Sequence, residues 1–96
     1  MIIIINNYMN KVKLFPYIII VYRKNKPTKY YGPYISIKRA WNKLLKLYKP
    51  DLDKKQEKYN NINWYMINYS SIIIYILDKN DEKIILSDYY IKRLND

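Results

Sequence analysis

Between Ile37 and Lys49 the apolar residues recur at helical spacing. At about 100° per residue, Ile37, Ala40, Trp41, Leu44, Leu45, Leu47 and Tyr48 fall in one arc, while Lys38, Arg39, Asn42, Lys43, Lys46 and Lys49 fill the remainder. The pattern predicts a central amphipathic helix. Ser36 is placed to cap it, since its hydroxyl can accept from a free first-turn amide, and Pro50 is expected to stop it at or before Lys49. The outer face then carries five cations, one amide and no acid.

Upstream, the run VKLFPYIIIVYR is β-branched and aromatic, and Pro16 sets the start of pairing, so a strand is expected over Tyr17 to Arg23. KNKPT (Lys24 to Thr28) reads as a turn and Lys29 to Tyr31 as a return strand, closing a hairpin that Gly32 and Pro33 terminate. Ile2 to Ile5 reads as a short isolated strand. Downstream, Asp51 to Asn61 is polar and balanced in charge, which fits a short solvated helix or an ordered loop, with Asp51 and Asp53 as helix-start residues. Ile62 to Tyr69 and Ser71 to Asp78 are expected as strands, the second apolar on both faces and therefore central. DKNDEK (Asp78 to Lys83) reads as a hairpin turn, Ile84 to Leu86 as a last short strand, and Ser87 to Leu94 as a terminal helix capped by Ser87.

These elements predict one α+β domain over residues 1–96: a β-hairpin, a central amphipathic helix, a three-stranded antiparallel meander and a short C-terminal helix. A single helix covers one face of a sheet whose strands are apolar on both. The second face then calls for the terminal helix or another subunit, and a homodimer is expected.

Composition narrows the chemistry. The chain has no Cys and no His, which removes disulfides, thiol chemistry, nucleophile-base pairs and most transition-metal sites. Asp78, Asn80 and Glu82 mimic the alternating ligands of a calcium loop, but Lys83 stands where glycine is needed and Tyr89 where the closing acid belongs. Gly32 is the sole glycine, so no glycine-rich phosphate loop exists. The expectation is a non-enzymatic binding protein without cofactors. Ile2 to Ile5 is short, lacks a basic stretch before it and runs straight into Asn6 and Asn7, so it does not read as a secretory signal. The longest apolar run, Leu14 to Tyr22, is about half of a bilayer span. A cytoplasmic location is expected, that of the host cell if the protein is viral, with no membrane partner.

The net charge is +10. Part of it follows from the dominance of Ile, Asn, Lys and Tyr, whose codons are rich in A and T, and Lys outnumbers Arg fifteen to three as an AT-rich genome would produce. Thirteen Tyr against one Phe is not explained that way. Tyr suits half-exposed positions at interfaces and on stacking platforms, although a core whose hydroxyls reach solvent would also use it.

The candidate surface is therefore the helix face of Lys38, Arg39, Lys43, Lys46 and Lys49, together with Arg23, Lys24, Lys26, Lys29, Tyr30 and Tyr34 of the hairpin. Cations that displace counterions from phosphates, beside rings that stack on bases, point to nucleic acid, DNA or RNA, bound with weak sequence specificity. A one-sided lysine face is also what an ordinary solvated helix presents, and both readings stay open. The alternative function is a virus- or phage-type protein that uses the same surface to bind and inhibit an acidic host protein of defence or nucleic-acid handling. Structural assembly in a virion or ribonucleoprotein is a third.

The YYGPYIS turn (Tyr30 to Ser36), followed by Ala40 and the spaced leucines, locally resembles a stretch of the C subunit of the bacterial UvrABC excision nuclease and the GPF-type turn of SPOR domains. Over about a dozen residues the resemblance implies a strand, a turn and a capped helix, and no function.

Overall fold

A computed structural model describes residues 15–94; the segment Ile2 to Ile5 lies outside them. Five strands form one antiparallel sheet: β1 Tyr17–Arg23, β2 Lys26–Tyr34, β3 Ile62–Ile67, β4 Ser71–Leu77 and β5 Lys83–Arg93, in the order β2-β1-β5-β4-β3. Among the described residues one helix, α1 Ile37–Lys58, crosses a single face of it. The separate hairpin, three-stranded meander and C-terminal helix expected from the pattern give way to this five-stranded sheet.

The largest correction lies at the C-terminus. Ser87 to Leu94 reads as a helix capped by Ser87, but Lys83–Arg93 is one eleven-residue strand in the middle of the sheet. Its alternation explains the outcome. Ser87, Tyr89 and Ile91 face the helix, while Asp88, Tyr90 and Lys92 face away, and both edges are paired, Tyr89 standing opposite Val21 of β1 and Ile72 of β4. Two full ladders and a buried side outweigh a capping preference of about 1 kcal/mol.

Pro50 is the second correction, because it lies inside a helix of 22 residues. An interior proline loses its bond to the carbonyl four residues back and costs about 3 kcal/mol. Packing and hydrogen bonds beyond it compensate: Leu52 is buried, and Asp51 is hydrogen-bonded to the central strand. The start of the helix follows expectation, with the Arg39 amide donating to Ser36 Oγ at 3.2 Å. So does the buried arc of Ala40, Trp41, Leu44 and Tyr48, although Ile37 is left 45% exposed.

Gly32 and Pro33 do not end β2, which runs on to Tyr34 along the sheet edge, where a proline disturbs no inner ladder. Gly32 has φ +124°, and a Cβ there would approach Tyr17 O at 3.2 Å and the Tyr34 ring at 3.1 Å. Only glycine suits it. The β1–β2 turn is correspondingly shorter than expected, with Asn25 in the left-handed region at φ 60°.

The core lies between α1 and β1, β5 and β4: Ile19, Val21, Leu44, Tyr48, Ile72, Ile74 and Tyr89 are all nearly or fully buried. Tyr48 packs against Trp64 of β3 with ring centroids 5.6 Å apart, and Trp41 meets Tyr69 edge-on at 5.5 Å. Among the described residues nothing covers the opposite face of the sheet. There Tyr22 and Tyr30 remain 43% and 66% exposed, beside Ile67 and Ile85.

Candidate anion-binding site

The hairpin and the far half of the helix flank a half-open cavity of about 410 Å³. From the hairpin come Arg23, Lys24, Lys26 and Lys29; from α1 come Lys54, Lys55 and Lys58; Val21, Leu47, Leu86, Tyr31 and Tyr59 supply apolar and aromatic walls. The hairpin tip is fixed by the Lys24 amide, which donates to the Leu86 carbonyl of β5 at 3.0 Å. Among the described residues one acid lines the cavity, Asp51.

That acid is fully engaged. Asp51 Oδ1 accepts from Lys55 Nζ at 2.7 Å, and Oδ2 accepts from Ser87 Oγ at 2.8 Å and from Tyr89 Oη at 2.6 Å. Burial alone would raise its pKa, but the hydrogen bonds from Lys55, Tyr89 and Ser87 outweigh it and hold the carboxyl below its ordinary range. Burial and the bond to Asp51 push the Tyr89 phenol well above its usual value, so it stays protonated and donates.

With Asp51 and Lys55 neutralising each other, Arg23, Lys24, Lys26, Lys29, Lys54 and Lys58 line the cavity without an ion pair to any described residue. Lys58 has a local reason to be there, since cations suit the negative end of a helix and its ammonium sits 5.5 Å from the Tyr59 ring centroid. The other five lack that reason. Arg23 Nε is buried with no hydrogen-bond partner, a donor left unsatisfied at a cost comparable to a broken hydrogen bond.

The residues singled out in the sequence divide into groups. Lys38, Arg39, Lys43, Lys46 and Lys49 are all exposed and form no ion pair with a described residue. At 100° per residue, Arg39, Lys43 and Lys46 lie on the flank of α1 that continues through Pro50 and Lys54 to the cavity; Lys38 and Lys49 lie on the other flank. Arg23, Lys24, Lys26 and Lys29 converge on the cavity. Tyr30 does not: it stands opposite Ile20 on the sheet face away from the helix. Tyr34 packs beside the core at the other end of β2, with its phenol pKa raised by burial.

Sequence reasoning missed Lys54 and Lys58, because a helix ending at Pro50 leaves them in a solvated segment. It also took Asp51 for a helix-start residue, whereas its carboxylate is the anchor between helix and sheet. The available signal was spacing: Pro50, Lys54 and Lys58 are successive i,i+4 positions. Among the described residues no group of three metal-ligating side chains occurs, and no helix is long and apolar enough to cross a membrane. No family model matches this chain, nor does any curated protein or solved structure.

Proposed function

We propose that this protein binds nucleic acid, gripping the phosphate backbone along Arg39, Lys43 and Lys46 and into the cavity between hairpin and helix. The observation that carries the reading is the gathering, from two distant parts of the chain, of six cations around a space where the one acid among the described residues is already neutralised. Like charges so placed repel one another, and an external polyanion relieves that repulsion. The contacts are to phosphate, with Tyr31 and Tyr59 available to stack on a base, so sequence preference is weak.

Salt dependence tests it. Neutralising about six phosphates of a single strand gives a slope of log K against log salt of roughly −4, hence a loss of about 10² to 10³ in affinity between ~50 and ~200 mM salt. Fluorescence anisotropy with labelled DNA and RNA strands reads that loss, and weak binding that is indifferent to salt would reject the reading.

A protein partner is the second reading, favoured by the uncovered sheet face. Tyr22 and Tyr90 stack there with centroids 5.7 Å apart, and exposed Tyr30, Ile67 and Ile85 share the surface. A second copy of this chain fits, because Asp88 and Lys92 lie on that same face of β5 and can pair across a two-fold axis. Sedimentation at tens of micromolar decides it, and a monomer removes it.

A further inference from the structure

We propose that the cavity is an end-binding pocket that receives a phosphate monoester, the terminal phosphate of a nucleic-acid strand or of a free nucleotide. It rests on the nucleic-acid reading only for the strand as the source of that phosphate.

Three observations carry it. The first is shape. The helix flank is an open surface, where a strand can lie along its backbone, whereas the cavity is a half-open recess with walls from β1 and β2, the far half of α1 and β5. Its volume, about 410 Å³, lies in the roughly 300–1,000 Å³ range of small-molecule sites and suits one nucleotide unit rather than a continuing strand.

The second is charge. An internal phosphodiester carries one negative charge, whereas a monoester carries about −1.5 to −2 at pH 7, with a second pKa of about 6 and three acceptor oxygens. Six cations without an acid partner favour the more highly charged group. The local acid cannot repel it, because Asp51 is neutralised by Lys55 and covered by Ser87 and Tyr89.

The third is Arg23, the one arginine among the described residues that line this cavity. A guanidinium presents donors in a planar fork that matches phosphate oxygens, which ammonium groups do not. The backbone of Arg23 is held by pairing on both sides, opposite Ser87 of β5 and Lys26 of β2, so the guanidinium is carried on a fixed strand end. Tyr59 and the apolar walls then face the sugar and base.

The test is anisotropy with labelled oligothymidylates of equal length ending in 5′-phosphate, 3′-phosphate or hydroxyl at both ends, with thymidine monophosphate as competitor. Expected is at least one phosphorylated end binding about tenfold or more tighter than the hydroxyl strand. The preference should grow as pH rises through about 6, and vanish in both Arg23→Gln and the surface double variant Lys26→Gln/Lys29→Gln. Displacement by thymidine monophosphate at concentrations near that of the strand assigns the site to free nucleotides; displacement only at far higher concentrations assigns it to strand ends. Strands that bind with a steep salt slope but equally for all ends overturn the pocket and leave the backbone reading standing. Thymidine monophosphate binding without any strand binding does the reverse. A preference that survives both variants overturns the placement in this cavity.

Discussion

The Tyr89 hydroxyl donates to Asp51 Oδ2 at 2.6 Å, across 38 positions of sequence, and so ties the helix one residue beyond its proline to the central strand. Ser87 makes the same bridge at 2.8 Å. Asp51→Ala leaves the hydroxyls of two buried residues and one ammonium without their acceptor. A loss of about 2–3 kcal/mol is expected, read as a lower urea midpoint with unchanged slope.

Pro50→Ala is expected to act in the opposite direction. Alanine restores an amide that can reach the Lys46 carbonyl and removes an interior proline penalty of up to ~3 kcal/mol, part of which the surroundings already absorb. A gain of about 1 kcal/mol in chemical denaturation would fit, and a loss would show that the helix needs the proline's shape.

Two carboxylates give the stability profile opposite limbs. Asp51 has its pKa lowered from 3.8, so its contribution is complete well above 3.8 and is lost as pH falls below 3.8 through the folded value. Asp88 is raised from 3.8 by burial, and its Oδ1 has no hydrogen-bond partner. Its contribution is present below 3.8 and disappears as pH rises through the folded value. Asp51→Asn should therefore flatten the acid limb below about pH 4, and Asp88→Asn should raise the melting temperature at pH 7 with little change at low pH. Thermal melts of both variants across that range check the signs.

How much of this was legible in the sequence depends on which interactions fixed each element. β1, the Ser36 cap and the arc Ala40, Trp41, Leu44 and Tyr48 are set by local periodicity and capping, and they stand as read. β5 and the half of α1 past Pro50 are set by partners far away in sequence: Tyr89 between Val21 and Ile72, and Asp51 beneath Ser87 and Tyr89. Local signals at Ser87 and Pro50 pointed elsewhere because neither registers a ladder or a buried anchor. The site was half visible for the same reason. Arg23, Lys24, Lys26 and Lys29 were recognisable as a basic hairpin, but Lys54 and Lys58 join them only once the helix continues.

Glycine at position 32 offers a local check on the hairpin that supports the cavity. Gly32→Ala places a methyl against the Tyr17 carbonyl and the Tyr34 ring at a backbone angle of +124°. Destabilisation of about 1–3 kcal/mol is expected, together with weaker strand binding if the far end of the hairpin shifts with it; a thermal melt and a single anisotropy titration read both.

The central claim is that the cations around the cavity collect phosphate, and the salt slope of strand binding tests it most directly. In the triple variant Lys26→Gln, Lys29→Gln, Lys54→Gln, the slope of log K against log salt should shrink by ~0.7 for each single-strand phosphate that the protein no longer neutralises: about 0.7 if the three lysines share one terminal phosphate and about 2 if each holds its own. The control Lys79→Gln, Lys83→Gln, Lys92→Gln removes the same charge from the 78–83 turn and the opposite sheet face and should leave the slope nearly unchanged. Equal reductions in the two triples would mean that net charge alone drives binding, and would contradict the account.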